Sequence, residues 1–344
     1  MTQHSSFIKK IALMLTAVTV FLCLPVSSSA NSMNITNHIT YTKDYIVQNQ
    51  IPVNDWNDTV MYSSVGIFSI SEVEPYIPEA DPTSARTTAT RILASISVGQ
   101  ADRSEGEENA DVAALKKLQN QDGSFGDFYD TLYSVMALKA FDVTFMSEKA
   151  VENLLSYQNE DGGFYYEGES PVRTTGRAMT VLSMFTQDPK VTNAIDKNIE
   201  FLNSKKLENG LYDDETCITY SCALIGLIDV GVTMTGDERV KMASKLMEFR
   251  NTDYSYNAKI DDETPDNTST LYALTALDAA GRSDSVYARI MEEGSVNQYS
   301  LKDYIPFFTG YGILALISVV FWVYLMFFRG RKQKETKEKA VDLI

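Results

Sequence analysis

A repeated turn constrains the fold of this 344-residue chain more than any other feature. Leucine, glutamine, glycine and an aromatic residue recur with the same spacing around the string Gln-Asn-x-Asp-Gly-x-Phe. The two clear copies are Leu115, Gln119, Gly123 and Phe125, and Leu154, Gln158, Gly162 and Phe164, with weaker copies at Leu202, Lys206, Gly210 and Tyr212 and at Leu246, Arg250, Tyr254 and Tyr256. The aromatic positions are 39, 48 and 44 residues apart. A period of this length accommodates two helices and two turns, so the repeat predicts an all-α domain built from helical hairpins.

The apolar spacing on the two sides of each turn predicts a polar first helix and a more apolar second helix in every hairpin. Second helices are predicted near residues 59–70, 84–98, 130–141, 173–185, 216–231 and 266–280. First helices are predicted near 38–50, 109–119, 147–157, 193–206 and 237–250, with a short piece at 73–77 and a further helix at 284–293. No polar capping repeat is evident at either end, which disfavours an open solenoid. The fold prediction is an α/α toroid of about six helical hairpins.

The residues of the turn have a structural interpretation. Glycine can adopt the left-handed conformation where the chain reverses, and the aromatic side chain can fill the seam between hairpins. We therefore assign the glutamine, glycine and phenylalanine of the two clear copies to the turn itself. They are Gln119, Gly123 and Phe125, and Gln158, Gly162 and Phe164.

Both ends of the chain read as membrane-targeting segments. Lys9 and Lys10 precede an apolar run and a stretch of small residues ending at Ala30, the order found in a cleavable signal peptide. Residues 304–328 carry no charge and are long enough to span a bilayer, and the basic segment 329–344 follows. Because basic residues stay on the cytoplasmic side, we predict a signal peptide at 1–30, an extracellular domain at 31–300, one transmembrane helix at 304–328 and a cytoplasmic tail at 329–344.

The charge is distributed unevenly along the chain. The whole sequence has a formal net charge of −16, of which the first 30 residues carry +2 and the tail carries +3, leaving −21 between them. An extracellular domain this acidic argues against binding to nucleic acid or to anionic lipid. Cysteine is scarce as well, since only Cys217 and Cys222 follow the signal peptide, and on one helix they are too far apart for a disulfide. These features favour the surface of a Gram-positive-type bacterium.

The glutamine-xxx-glycine-x-aromatic pattern after a helix resembles the turn repeat of the terpenoid cyclase and protein prenyltransferase superfamily, whose fold is an α/α toroid. The resemblance covers residues 105–280 well and 38–100 weakly, and Phe125 and Phe164 stand where the family usually has tryptophan. Class II terpene cyclases protonate their substrate from an Asp-x-Asp-Asp motif, which this sequence lacks. Prenyltransferases bind zinc through Asp, Cys and His, but no histidine follows Cys217. The resemblance implies the fold of the superfamily in a non-catalytic member, without metal or cofactor.

Loops that enter the inner helices of an α/α ring converge on one rim, where we expect any binding site. The candidate ligand-binding residues are Asp130, Tyr165, Tyr166, Arg173, Arg177, Asp213, Asp214, Tyr256 and Asp262. Asp214 and Asp262 are also weak catalytic candidates, because paired carboxylates perform glycoside hydrolysis. The alternative is that such acids only stabilise helix N-termini. Arg173 and Arg177 can form ion pairs with these acids, which we favour, or hold an anionic group of a ligand.

Three functions remain open. The leading hypothesis is a membrane-anchored surface module that binds a glycan, an apolar or other small molecule, or a protein partner. A corrinoid or another bulky nutrient is one possible ligand by analogy with cobalamin-binding proteins of the intrinsic-factor type, which share the ring. The second is a surface enzyme, a glycan hydrolase or lyase, acting through rim carboxylates. The third is a structural partner of another membrane protein, contacted through the span where Gly310 and Gly312 permit close packing.

Overall fold

The structure, a computed structural model, describes residues 27–66, 74–231 and 236–294. These ranges contain twelve α-helices and no β-strand beyond isolated bridges at turns. The helices are α1 (Ser27–Gln48), α2 (Trp56–Val65), α3 (Ala85–Ser97), α4 (Ala110–Lys117), α5 (Phe128–Ala140), α6 (Ser147–Leu155), α7 (Val172–Leu182), α8 (Pro189–Ser204), α9 (Cys217–Asp229), α10 (Gly236–Leu246), α11 (Asn267–Arg282) and α12 (Val286–Glu293). Short 3-10 helices cover Glu74–Tyr76, Arg103–Glu108, Ser183–Phe185 and Met247–Phe249. The prediction of an all-α domain is confirmed for this part of the chain.

Local capping explains three helix boundaries that differ from the predicted ranges, whereas α1 begins at Ser27, well before the predicted start near residue 38. α5 begins two residues early because Asp127 and Asp130 form a capping box, each side chain accepting from the other's backbone N–H. α8 begins at Pro189, since Asp188 accepts from the N–H of Lys190 and proline suits the first helical position. α2 ends at Val65, where Gly66 adopts the left-handed conformation with φ of 65°.

The second helix of each hairpin lies on the inside of a closed ring. In the order α2, α3, α5, α7, α9 and α11, each helix packs on the next, and α11 returns to contact α2. α1 packs against α11 and α10 on the outside and so covers the seam between the first and last hairpins. α7 and α9 approach closely because Gly176 and Gly226 face each other, and a Cβ on either would overlap the backbone of the opposite helix.

The outer layer consists of the remaining long helices. α4 packs on α3, α6 on α5, α8 on α7, and α10 on α9 and α11. The buried apolar residues between the two layers include Leu115, Leu154, Leu202 and Leu246, which are the leucines of the repeat. Burying a leucine contributes about 1.5–3 kcal/mol, so the repeat encodes the contact between the inner and outer layers.

α12 closes the end of the ring at which the inner helices terminate. It contacts α2, α3, α5 and α7, four of the inner helices, across the opening. Asp229, the last residue of α9, accepts hydrogen bonds from the Ser285 backbone N–H (2.9 Å) and hydroxyl (2.7 Å). The buried Arg289 of α12 forms ion pairs with Asp278 of α11 (2.9 Å) and with Asp284 (2.8 Å). These contacts therefore hold the start and the middle of the last-helix segment against the C-terminal parts of α9 and α11.

The predictions for the two ends of the chain fall mostly outside the described residues. Residues 1–26 of the predicted signal peptide, the predicted transmembrane helix at 304–328 and the tail at 329–344 belong to this part. Within 27–66, 74–231 and 236–294, no helix combines the length and the apolar character that crossing a membrane requires.

Candidate functional site

The repeated turns precede the N-termini of inner helices and form one rim of the ring. The Gln119 side chain donates to the carbonyl oxygens of Gly123 (3.1 Å) and Met146 (3.2 Å) and accepts from the Met146 N–H (3.0 Å). Gln158 likewise donates to the carbonyl oxygens of Gly162 (3.2 Å) and Ala194 (2.9 Å). Each glutamine thus ties its own turn to the outer helix of the next hairpin.

The glycines of the turns are needed for both conformation and space. Gly123 and Gly162 have φ of 92° and 87°, which side-chain-bearing residues rarely adopt. A Cβ on Gly162 would lie 2.5 Å from the Lys197 carbonyl oxygen, and one on Gly123 would overlap the backbone of Lys149. These turn residues have the structural role that their spacing predicts, and we assign them no ligand.

The last copy of the repeat differs from its expected placement. Tyr256 was expected on the rim, but its side chain is completely buried in the core between α9, α10 and α11. It occupies the position of Phe125 and Phe164 in the earlier turns, so the aromatic of every copy faces inward. Tyr254 takes the place of the turn glycine with φ of 71°. A ligand on the rim does not reach the Tyr256 side chain.

A basin of about 880 Å³ lies on the rim where α7, α9 and α11 begin. Its lining is mostly polar and carries charges of both signs, amide groups and hydroxyl groups. The residues that line it include Asn159, Asp161, Glu169, Ser170, Arg173, Lys205, Asp213, Asp214, Thr216 and Thr219. Pockets of roughly 300–1,000 Å³ suit a small organic ligand, so this basin has the size of a binding site.

The basin contains three of the predicted site residues. Arg173 lies at the second position of α7 with its side chain exposed, and Asp213 and Asp214 are exposed in the turn before α9. Asp213 forms an ion pair with Lys205 at 3.6 Å. The other two have no ion-pair partner within 4.0 Å in the described ranges, so the expected pairing of Arg173 with a rim acid is not observed.

Asp214 and Asp262 each form local hydrogen bonds. Asp214 accepts hydrogen bonds from the Thr216 N–H (3.1 Å) and the Thr219 hydroxyl (2.5 Å), which makes it part of the cap of α9. Asp262 accepts from the Lys259 N–H (2.8 Å) in its own turn and is not among the residues that line the basin. Of the two carboxylates, only Asp214 therefore acts at a helix N-terminus.

Asp130 is likewise engaged with protein groups. Besides its part in the capping box, it accepts from Arg86 Nε at 2.7 Å, while Asp127 accepts from Arg86 Nη2. Burial opposes ionisation of Asp127, but the backbone hydrogen bonds and the Arg86 guanidinium outweigh it, so its pKa is lowered. This arrangement joins α3 to α5 at the rim and does not leave Asp130 free for a ligand.

Tyr165 and Tyr166 point to different sides of a short hairpin, as adjacent residues of an extended segment must. Tyr165 is 42% exposed. Tyr166 packs edge-on against Tyr129 with ring centroids 4.9 Å apart. Neither residue lines the basin, although the exposed Tyr165 is close in sequence to residues that do.

Cys217 lacks the environment of a metal ligand. Its side chain is buried at the start of α9, and the sulfur donates to the Ser269 carbonyl oxygen at 3.6 Å. Burial raises the pKa of this thiol well above its usual value. Cys217 and Cys222 are both free cysteines, in agreement with the prediction that they form no disulfide.

Arg177 lies one turn below Arg173, inside the ring, although the sequence placed both on the rim. Its guanidinium donates to the hydroxyl of Tyr272, and its Cζ lies 5.8 Å from the centre of that ring. The cavity around it has a volume of only about 30 Å³. We call this space the lumen; it is lined by Trp56, Asn57, Leu132, Tyr133, Met136, Gly176, Arg177, Thr180, Cys222, Ile225, Tyr272 and Tyr287.

The lumen residues other than Arg177 were missed in the sequence, although a signal was present. Tyr133, Arg177, Cys222 and Tyr272 are each the sixth residue of their inner helix. Aligning the helices by the repeat therefore places these side chains in one layer. Tyr287 enters from α12, whose position the repeat does not indicate.

The fold has a counterpart among solved structures. The ring is similar to the type II terpene cyclase MstE from Scytonema, solved in complex with its substrate geranylgeranyl dihydroxybenzoate, with a TM-score of 0.51 and 12% sequence identity. The match covers 74% of this chain and 99% of the cyclase chain. No protein-family model and no curated protein sequence matches the chain. At this level of identity the likeness concerns the fold alone, and the chain has a terpenoid cyclase-like α/α fold.

Proposed function

We propose that this chain is a membrane-anchored module of the cell surface that binds a polar ligand, a glycan or a polar segment of a partner protein, in the rim basin. The observation that carries the proposal is the basin itself, which combines a volume of about 880 Å³ with exposed hydrogen-bonding groups of every type. The signal peptide, the transmembrane span and the acidic extracellular domain predicted from the sequence supply the location.

The filling of the lumen supports the rim as the binding surface. A terpenoid or a corrinoid inside the ring needs a cavity of roughly 300–1,000 Å³ or more, and about 30 Å³ holds only one or two water molecules. The aromatic side chains of Trp56, Tyr133, Tyr272 and Tyr287 occupy the centre of the ring, and α12 covers its far end. We therefore favour a polar ligand at the rim over a bulky apolar one inside.

The charged groups of the basin indicate which charge a ligand would carry. Arg173 is exposed there without an ion-pair partner in the part of the chain that the structure describes, and a planar guanidinium suits a carboxylate or a pair of hydroxyl oxygens. Glu169 supplies a carboxylate acceptor for hydroxyl or amide donors. A glycan with an acidic group, or a peptide with an acidic side chain, matches this arrangement.

Binding of the full-length chain in detergent to a panel of cell-surface polysaccharides and envelope proteins tests the proposal. Arg173→Ala is expected to weaken binding of the selected ligand by about 10–100-fold, the loss of one charged hydrogen bond. Lys117→Ala removes an exposed positive charge outside the basin and is expected to bind like the wild type. Equal affinities for both variants would place the ligand elsewhere.

The same panel separates the other two functions. Cleavage of a bound polysaccharide by the wild type but not by Asp214→Asn would support the surface enzyme. Stoichiometric co-purification of one membrane protein, unaffected by Arg173→Ala, would support the structural partner contacted through the span. Either result would replace the proposal of a binding module.

A further inference from the structure

Arg177 places a positive charge in the lumen without a negative charge beside it. Its side chain lies on the inner face of α7, and in the described ranges no carboxylate oxygen lies within 4.0 Å of its nitrogen atoms; the ion pairs there involve other arginines and lysines. The half-buried carboxylate at the closed end, Asp229, accepts hydrogen bonds from Ser285. A guanidinium withdrawn from water without a counter-charge is costly, so the lumen lacks an expected partner.

The neighbouring polar groups, Tyr272 and Cys222, hydrogen-bond to Arg177 but carry no charge, and they bring further donors into the lumen. The Tyr272 oxygen accepts from the Arg177 guanidinium and from Asn57 Nδ2 at 3.4 Å, so its own O–H must find an acceptor elsewhere. The Asn57 side-chain oxygen Oδ1 already accepts a hydrogen bond from the Tyr287 hydroxyl at 2.6 Å. Tyr133 also lines the lumen, and its hydroxyl has no hydrogen-bond partner among the residues that the structure describes.

The side chains around Arg177 cannot provide the negative charge themselves. Burial raises the pKa of the Cys222 thiol, and Arg177 opposes this only in part. Burial also raises the pKa of Tyr272 to about 12 and raises the pKa of Tyr133. These groups are neutral near pH 7, so none of them supplies the negative charge that Arg177 lacks.

We propose that the lumen binds a small inorganic anion of the size of chloride, held by the Arg177 guanidinium and by the hydroxyl groups of Tyr133 and Tyr272. The volume of about 30 Å³ holds an ion comparable to one or two water molecules and excludes an anion with an organic tail. The acidic exterior does not prevent binding, because charges beyond about 8 Å are largely screened at physiological ionic strength. The anion joins α5, α7 and α11 and completes the interior of the ring.

The site is independent of the rim basin, and the test needs no organic ligand. Thermal unfolding of the full-length chain in detergent is followed by circular dichroism while chloride replaces gluconate at constant ionic strength. Chloride at about one hundred times its Kd is expected to raise Tm by about 5–10 °C, with saturation. Arg177→Met is expected to remove this dependence, and Lys117→Met, which removes the same charge from the surface, is expected to keep it.

Tryptophan fluorescence locates the anion without relying on a destabilised variant. The chain has two tryptophans, Trp56 in the lumen and Trp322 in the predicted span, so Trp322→Phe leaves Trp56 as the reporter. Bromide is expected to quench Trp56 with a saturable component that chloride displaces. In crystals grown with bromide, anomalous scattering is expected beside Arg177. Each of three results would overturn the assignment: a wild-type Tm that does not change with chloride, quenching that does not saturate, or bromide found only at the rim.

Discussion

A hydrogen bond between each turn and the inner helix that follows it leads to a quantitative prediction. In three hairpins, a buried threonine at the fourth position of the inner helix accepts the backbone N–H of the repeat's aromatic residue. The pairs are Thr131 with Phe125 (3.1 Å), Thr175 with Phe164 (3.0 Å) and Thr270 with Tyr256 (3.0 Å). Thr175→Val keeps the shape of the side chain but leaves a buried N–H without an acceptor, at a cost of about 1–3 kcal/mol. In a domain of this size Tm is expected to fall by about 2–10 °C.

The three positions serve as replicates of one experiment. Thr131→Val, Thr175→Val and Thr270→Val are compared with the wild type by thermal unfolding of the full-length chain in one detergent, followed at the helical circular dichroism band. Thr192→Val is the matched control, because that threonine is exposed on α8 and its hydroxyl binds only the Thr186 and Asp188 carbonyl oxygens nearby. If all three variants unfold with the control, the shared hydrogen bond does not connect the turns to the ring.

Three further predictions concern the turn, the closing helix and the buried ion pair. Gly168 has φ of 97° and open space around it, so Gly168→Ala is expected to cost about 1–2 kcal/mol of backbone strain. Gly162→Ala is expected to cost roughly twice that or more, because its Cβ also meets the facing carbonyl oxygen of Lys197. Equal losses of Tm in the two variants would refute this overlap. Burial raises the pKa of Asp229 to about 6, above the value of an unfolded carboxyl, about 4. The neutral carboxyl therefore contributes about 3 kcal/mol of stability below about pH 4, and this contribution is lost as pH rises through 6. Asp229→Asn is expected to flatten that part of the Tm–pH profile. Arg289→Met leaves the Asp278 carboxylate short of a partner and is expected to cost about 3–5 kcal/mol in thermal unfolding, with partial recovery on adding Asp278→Leu.

The architecture could be predicted from the sequence because one periodic signal specifies it. Every inner helix starts within three residues of its predicted start, and the buried leucines of the repeat mark the contact between the layers. Two of the boundary errors fall where a single residue sets the helix start, as Asp127 does for α5 and Pro189 for α8, while α1 starts at Ser27, far before its predicted start near 38. The signal peptide and the transmembrane span stay predictions, since the described residues do not include the segments on which they depend.

The candidate site was predictable only in part, because spacing along a helix gives direction but not environment. The convergence of loops on the rim correctly brought Arg173, Asp213 and Asp214 to one basin. It could not show that Asp214 caps α9 or that Asp262 binds its own turn, since short local hydrogen bonds decide both. Tyr256 was misplaced because the last two copies of the repeat have a tyrosine where the first two have phenylalanine, and the core accepts either.

Arg173 and Arg177 illustrate how one helical turn separates two functions in a ring. Four residues apart, they share a face of α7, but a turn is about 5.4 Å long and the space inside the toroid narrows within that distance. Arg173 therefore faces a basin of about 880 Å³, while Arg177 is surrounded by tyrosines in about 30 Å³. A ligand of Arg173 can exchange with solvent, whereas Arg177 needs a counter-charge that remains bound. A large ligand is consequently excluded from the centre by the tyrosine side chains themselves, and binding must be sought at the rim.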